Sequence, residues 1–162
     1  RIAVRLYACF SFDLLKRNHF QHHRTPARPE DPDYHAPERP GFLHWYTRFM
    51  RHYLTWRQLL CMAVLFNVLQ HGLGVAVPSL LIFWVAPALL STVQLFFFGT
   101  YLPHRKPPGG YGNKYHARSN PYPLWLSLLT CYHFGYHLEH HQHPNLSWWQ
   151  LPEKYRARTA VA

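Results

Sequence analysis

Between Gln58 and His104 the chain carries no formal charge, and acids are scarce throughout: seven Asp and Glu against seventeen Lys and Arg. Cysteine is scarcer still. Cys9, Cys61 and Cys131 are odd in number and far apart, which excludes a disulfide framework and a CxxC-type zinc or redox site. There is no GxGxxG, flavin or iron–sulfur motif, so electrons for any redox chemistry must come from a separate donor. HExxH, the Glu-x-x-His pairs of soluble di-iron bundles and the 2-His-1-carboxylate pattern are missing as well. No internal repeat, low-complexity tract or signal peptide is present. What is present is a one-domain length of 162 residues, 48% hydrophobic and 17% aromatic, with a net charge of +10 and fourteen histidines. That hydrophobic content excludes a disordered tail.

The charge-free stretch organises the rest. All basic residues lie in 1–57 or 105–158, and all acids in 13–38 or at Glu139 and Glu153. Leu59–Val77 and Ser79–Leu102 are apolar runs separated by Pro78. As a helix the second is roughly 36 Å long, enough to cross a hydrocarbon core of roughly 30 Å, and the first just reaches. A buried helical hairpin in a soluble protein is the alternative. The flanking Arg48, Arg51, Arg57, Arg105 and Lys106 favour a membrane hairpin, because one charge at mid-bilayer would cost about 2.5–3.5 kcal/mol. Two crossings, 59–77 and 79–102, then leave 1–57 and 103–162 together on the cytoplasmic side by the positive-inside rule. His71 falls near the opposite end. Segments 24–41 and 103–123 are Pro- and Gly-broken loops. Leu124–Phe134 is too short to span and reads as a buried or interfacial helix. The first fifteen residues suit a helix end emerging from, or lying on, the membrane.

His19, His22 and His23 form an HxxHH pattern that places three imidazoles on one helical face, within an arc of about 100°. His137, His140 and His141 repeat it, and His133, one turn earlier, falls inside the same arc. The two-crossing topology puts both triads on one side of the membrane, where they can meet. A solvated polar face would explain any single histidine; two such triads point to a metal site. Six or more imidazoles exceed the three or four that one zinc ion takes, so a binuclear iron site is the better reading. Glu139 lies between two of these histidines but on roughly the opposite side of the helix.

HxxHH at 19–23, DPDYH at 31–35, FGTYLPHR at 98–105, CYHFGYHLEHH at 131–141 and PNLSWWQLP at 144–152 closely resemble the bacterial and cyanobacterial β-carotene ketolases. These belong to the membrane fatty-acid desaturase and hydroxylase superfamily. The resemblance runs from Leu6 to Tyr155. It implies an all-α integral membrane protein, a desaturase-like helical bundle with a cytoplasmic histidine-rich site, in a bacterial inner or cyanobacterial membrane. It implies a non-haem di-iron oxygenase that uses O2 to introduce a keto group at C4 of a β-ionone ring, through two hydroxylations and loss of water. His19, His22, His23, His137, His140 and His141 would be iron ligands, with His104 and His133 as further candidates, and no catalytic side chain beyond the ligands is expected. The family carries a further HxxxH cluster upstream that does not occur here. The chain therefore reads as the C-terminal two-thirds of a ketolase, inactive by itself. Family members typically take electrons from ferredoxin and its reductase, and the basic surface of Arg48, Arg51, Arg105 and Lys106 offers such an acidic donor a docking place.

Other residues are weighed on their chemistry. Asp31 and Asp33 are either hydrogen-bond partners of ligand imidazoles or merely solvated. His116 reads as surface, and His35, His44, His52, His71 and His143 carry no assigned role. Trp148 and Trp149 suit an interfacial belt, and Leu95–Phe98 with Tyr101 suit helix packing over a substrate tunnel. The rival functions are a fatty-acid desaturase or hydroxylase and a non-enzymatic histidine-rich membrane metal-binding protein. The second would line the crossings with histidines, and only His71 lies inside one. Nucleic-acid binding is not needed to explain the basic fringe.

Overall fold

The computed structural model describes residues 2–34 and 41–160, apart from the side chain of Leu6, so His35 lies outside the described residues. Among the described residues every regular element is helical. The order is α1 (Ile2–Ala8), α2 (Phe12–Arg24), α3 (Phe42–Tyr53), α4 (Trp56–Asn67, continued by a π-helical turn, Val68–Gly72), α5 (Val77–His104), α6 (Leu124–Leu129), α7 (His137–Gln142) and α8 (Leu151–Thr159).

Helix α5 is the one described helix long and apolar enough to cross a membrane. Its 28 residues reach roughly 42 Å. It begins at Val77 rather than after Pro78, because proline is tolerated in a first helical turn, where its missing N–H has no intrahelical partner. The break lies instead at residues 73–76, where Gly74 takes φ +68. Two π-helical turns, Leu81–Val85 and Phe97–Tyr101, each end two residues before a proline, Pro87 and Pro103. A widened turn absorbs the carbonyl that the proline ring would strike and the hydrogen bond it cannot make. α4 with its π turn runs antiparallel beside α5, and Phe66 stacks on Trp84 at 6.4 Å. α1 is also laid along this hairpin: Tyr7 donates to the Pro87 carbonyl at 3.0 Å, and Gln58 Nε2 donates to the Ala8 carbonyl at 2.9 Å.

The core sits beyond the hairpin. Trp45, Phe49 and Tyr53, spaced by four residues, form one stripe of α3 that packs on Phe96 of α5, which is fully buried. Phe42, Tyr46 and Tyr101 close around the same ring. Phe96 and Tyr101 are therefore packing residues. This core also fixes the loop after α2: Trp45 Nε1 donates to the Asp33 carbonyl at 2.6 Å, the Tyr53 hydroxyl to Asp33 Oδ1 at 2.5 Å, and Arg48 Nε to the Tyr34 carbonyl at 2.9 Å.

The expected helix over Leu124–Phe134 stops at Leu129, and its apolar side chains Leu124, Trp125, Leu128 and Leu129 are exposed rather than buried. It is tied to α5 by Gln94 Nε2 donating to the Leu129 carbonyl at 2.8 Å. Cys131, Tyr132 and His133 then all take positive φ, 97, 50 and 63°, and reverse the chain into α7. Such conformations cost non-glycine residues roughly 1–3 kcal/mol each. Trp148 and Trp149 are exposed beyond α7.

Candidate metal centre

Seven imidazoles converge where α2, α7 and the end of α5 meet. His22, His104, His137 and His141 form one group, His19, His23 and His140 another; within each, the ring nitrogens lie within 4.8 Å of one another. The first group is buried, whereas His19 and His23 of the second are half-buried. The separations between Nε2 atoms are 3.1 Å for His22–His141, 2.8 Å for His104–His137 and 3.1 Å for His137–His141. In the second group they are 3.0 Å for His23–His140 and 3.3 Å for His19–His140.

Helical spacing explains how two helices feed two groups. Residues four apart lie one above the other, and a residue between them is rotated aside. α2 gives its i, i+4 pair, His19 and His23, to the open group and His22 to the buried one. α7 does the reverse, giving His137 and His141 to the buried group and His140 to the open one. The groups adjoin: His23 stacks on His141 with ring centroids 4.3 Å apart.

Two partners fix the direction of the lone pairs. Asp31 takes His22 Nδ1 at 2.9 and 3.0 Å, and the His116 carbonyl takes His104 Nδ1 at 2.9 Å. A carbonyl only accepts and a carboxylate favours a donor, so both rings carry their proton on Nδ1 and aim a bare Nε2 inward. Asp31 is itself held by the backbone N–H groups of Ala27 and Asp33. Nδ1 of His137 and of His141 is buried without a hydrogen-bond partner, so nothing there forces their protons onto Nε2.

Most of the rings are also kept neutral. Burial first, and neighbouring histidines second, lower His19 to about 4 and both His23 and His140 to about 3. His137 and His141 are pushed far below the usual range for the same reasons. His22 is the exception. Burial lowers it, but Asp33 and Asp31 outweigh that and raise it. Clustered imidazoles, most of them kept neutral, with the Nε2 lone pairs of His22 and His104 aimed inward by the Asp31 carboxylate and the His116 carbonyl, are a donor set for a borderline cation, and the residues present fit metal ions in both groups.

The sequence expectations are placed as follows. His19, His22, His23, His137, His140 and His141 come together, and His104 joins them. His133 does not: α7 begins only at His137, so there is no continuous helical arc to carry it, and its Nδ1 pairs with Ser127 Oγ at 3.1 Å. Of the two acids, Asp31 meets a cluster ring and Asp33 instead meets Tyr53. His116 is half-buried, its Nδ1 3.2 Å from the Pro26 carbonyl, and it supports His104 through its backbone. His44 is half-buried, while His52, His71 and His143 are exposed, and none of the four belongs to either cluster. One residue passed over in the sequence matters here: Glu139 is 1% exposed and paired with Arg158, and an acid placed between candidate ligands was the available signal.

A helical bundle that gathers histidines from three helices at the end of a long apolar helix defines a class of histidine-cluster proteins. The fatty acid desaturase family matches residues 2–162, and the chain belongs to that family. It is 40% identical over 153 residues to a β-carotene ketolase of Paracoccus sp., covering 94% of this chain and 62% of that protein. It is 40% identical over 157 residues to a β-carotene ketolase of Haematococcus lacustris, covering 93% and 48%. A zeaxanthin 4-ketolase of Chlamydomonas reinhardtii is 38% identical over 156 residues, covering 94% and 35%. The chain thus spans less than two-thirds of the length of these relatives. No solved structure matches it.

Proposed function

We propose that the protein is a carotenoid 4-ketolase, acting on the β-ionone ring of β-carotene to give echinenone and then canthaxanthin. The observation that carries this reading is the pair of adjoining histidine clusters in a chain about 40% identical to β-carotene ketolases. His22, His104, His137 and His141 would hold one iron, and His19, His23 and His140 would contribute to a second. When bound, the irons would supply the activation of O2 that oxidation of the allylic C–H bond requires. Each hydroxylation consumes one O2, two electrons and two protons and releases one water; the second acts on the same carbon, and the geminal diol loses water to leave the ketone.

The protein's own residues orient and shield. Asp31 and the His116 carbonyl keep the His22 and His104 lone pairs aimed inward, and burial keeps the remaining rings unprotonated and ready to bind. α5 is the membrane-crossing helix of this reading, with the shorter α4 packed antiparallel beside it, and the clusters at its His104 end lie at the bilayer surface where the end ring of a dissolved carotenoid arrives. The basic fringe, with Arg51, Arg105 and Lys106 exposed, docks an acidic electron donor such as ferredoxin. The family name favours one second reading, a fatty acyl substrate at the same centre.

Expression of the full-length coding sequence in bacteria that accumulate β-carotene, followed by pigment analysis, tests the proposal. Echinenone and canthaxanthin are expected. Their absence with the protein present in membranes defeats it, and altered fatty acids in their place favour the second reading.

A further inference from the structure

We infer that the C-terminal helix α8 is a clamp on the ligand helix α7, and that Arg158 is a positioning residue for the metal centre through Glu139. This rests on the metal-centre reading above. α7 is six residues long and its own N-cap residue, Tyr136, gives it no side-chain hydrogen bond, yet it supplies rings to both clusters. A helix that short does not hold its shape alone, since isolated helices below about 12–15 residues are marginal in water. Something outside it must fix its orientation.

Two separate contacts do so. Glu139 lies on the face of α7 turned away from the clusters, fully buried; its Oε1 accepts from Arg158 Nε at 2.6 Å and its Oε2 from the Ser119 hydroxyl. Ser119 Oγ in turn accepts the backbone N–H of Leu138 at 3.1 Å. One buried carboxylate therefore ties α7 to α8 and to the loop after α5. At the start of α7, Tyr136 stacks on Tyr155 of α8 at 4.5 Å, and the guanidinium of Arg158 sits 5.6 Å from the Tyr155 ring centroid. α8 is itself anchored by Leu151, buried at its first position. A buried carboxylate without its cation would be an unpaired charge behind the ligands, so removing Arg158 both frees α7 and leaves Glu139 uncompensated.

The test uses the membrane protein purified in detergent, stripped of metal and titrated with Co(II), with hydrogen exchange of the α7 amides followed without metal. In Arg158→Gln, Co(II) is expected to bind roughly ten- to a hundredfold more weakly with an altered visible spectrum, as for other supporting residues behind metal ligands. The amides of residues 140–143 should exchange roughly tenfold faster. Arg158→Lys should restore most of both. Glu139→Gln, which keeps shape and the Ser119 hydrogen bond, serves if Arg158→Gln does not fold, and should show the same loss. Parent-like Co(II) affinity and spectrum, or unchanged exchange, in either variant overturns the clamp. If the parent itself takes up no Co(II), the metal reading fails and the exchange rates alone decide the clamp.

Discussion

The two histidine clusters share the same two helices but differ in enclosure. The four-histidine cluster is buried on all its rings, and two of those rings are aligned by outside acceptors, Asp31 and the His116 carbonyl. The three-histidine cluster has two half-buried rings and one fewer nitrogen. On the proposed metal reading, the closed cluster keeps its ion and the open one leaves a side where something else can approach. Because each helix gives its i, i+4 pair to a different cluster, α2 and α7 supply three rings to each, and the contrast arises from the extra ring of α5, His104, which joins only one of them.

Breaking the closed cluster should have the largest effect. His137→Ala is expected to remove activity altogether and to cost one bound metal ion per chain by elemental analysis; retained stoichiometry would show that the clusters are not separate sites. His140→Ala attacks the open cluster alone, and the expected result is loss of its ion with the buried one kept. Asp31→Asn keeps the side chain's size but no longer fixes the His22 proton, and should weaken metal affinity roughly ten- to a hundredfold.

Acid should act through the lowered histidines of both clusters. His19, His23 and His140 have folded values of about 4, 3 and 3 against an ordinary 6.5, so between those values the unfolded chain binds more protons. Stability then rises with pH through that window, and the metal-free protein should melt at a lower temperature at pH 4 than at pH 7. His22, raised instead of lowered, works in the opposite sense, but it is one ring against these three and against His137 and His141, which are lowered as well. A melting temperature that climbs on acidification would overturn this sign. The smallest effect is expected at His133: His133→Ala should leave metal content and affinity at the parent value, and a lost ion would place it back among the ligands.

Much of this was legible along the chain. The charge-free stretch located the apolar hairpin, though its turn lies before Pro78, since proline opens a helix as readily as it ends one. The histidine spacings marked six of the seven converging rings. His133 was misplaced because its inclusion needed the helix to continue upstream of His137. Three successive left-handed residues, none of them glycine, prevent that, and no local signal announced them. Glu139 was set aside for facing away from the rings, yet facing away is what lets it reach Arg158.

The sequence by itself determined the helical periods, the uncharged hairpin with its basic fringe, and the two triads, because these depend on spacing within one continuous segment. Only the tertiary structure decided which ring joins which cluster, that His104 belongs and His133 does not, and what stands behind each ring. Those outcomes depend on contacts between residues as far apart as 121 positions, His19 and His140, and such contacts are fixed by how helices pack.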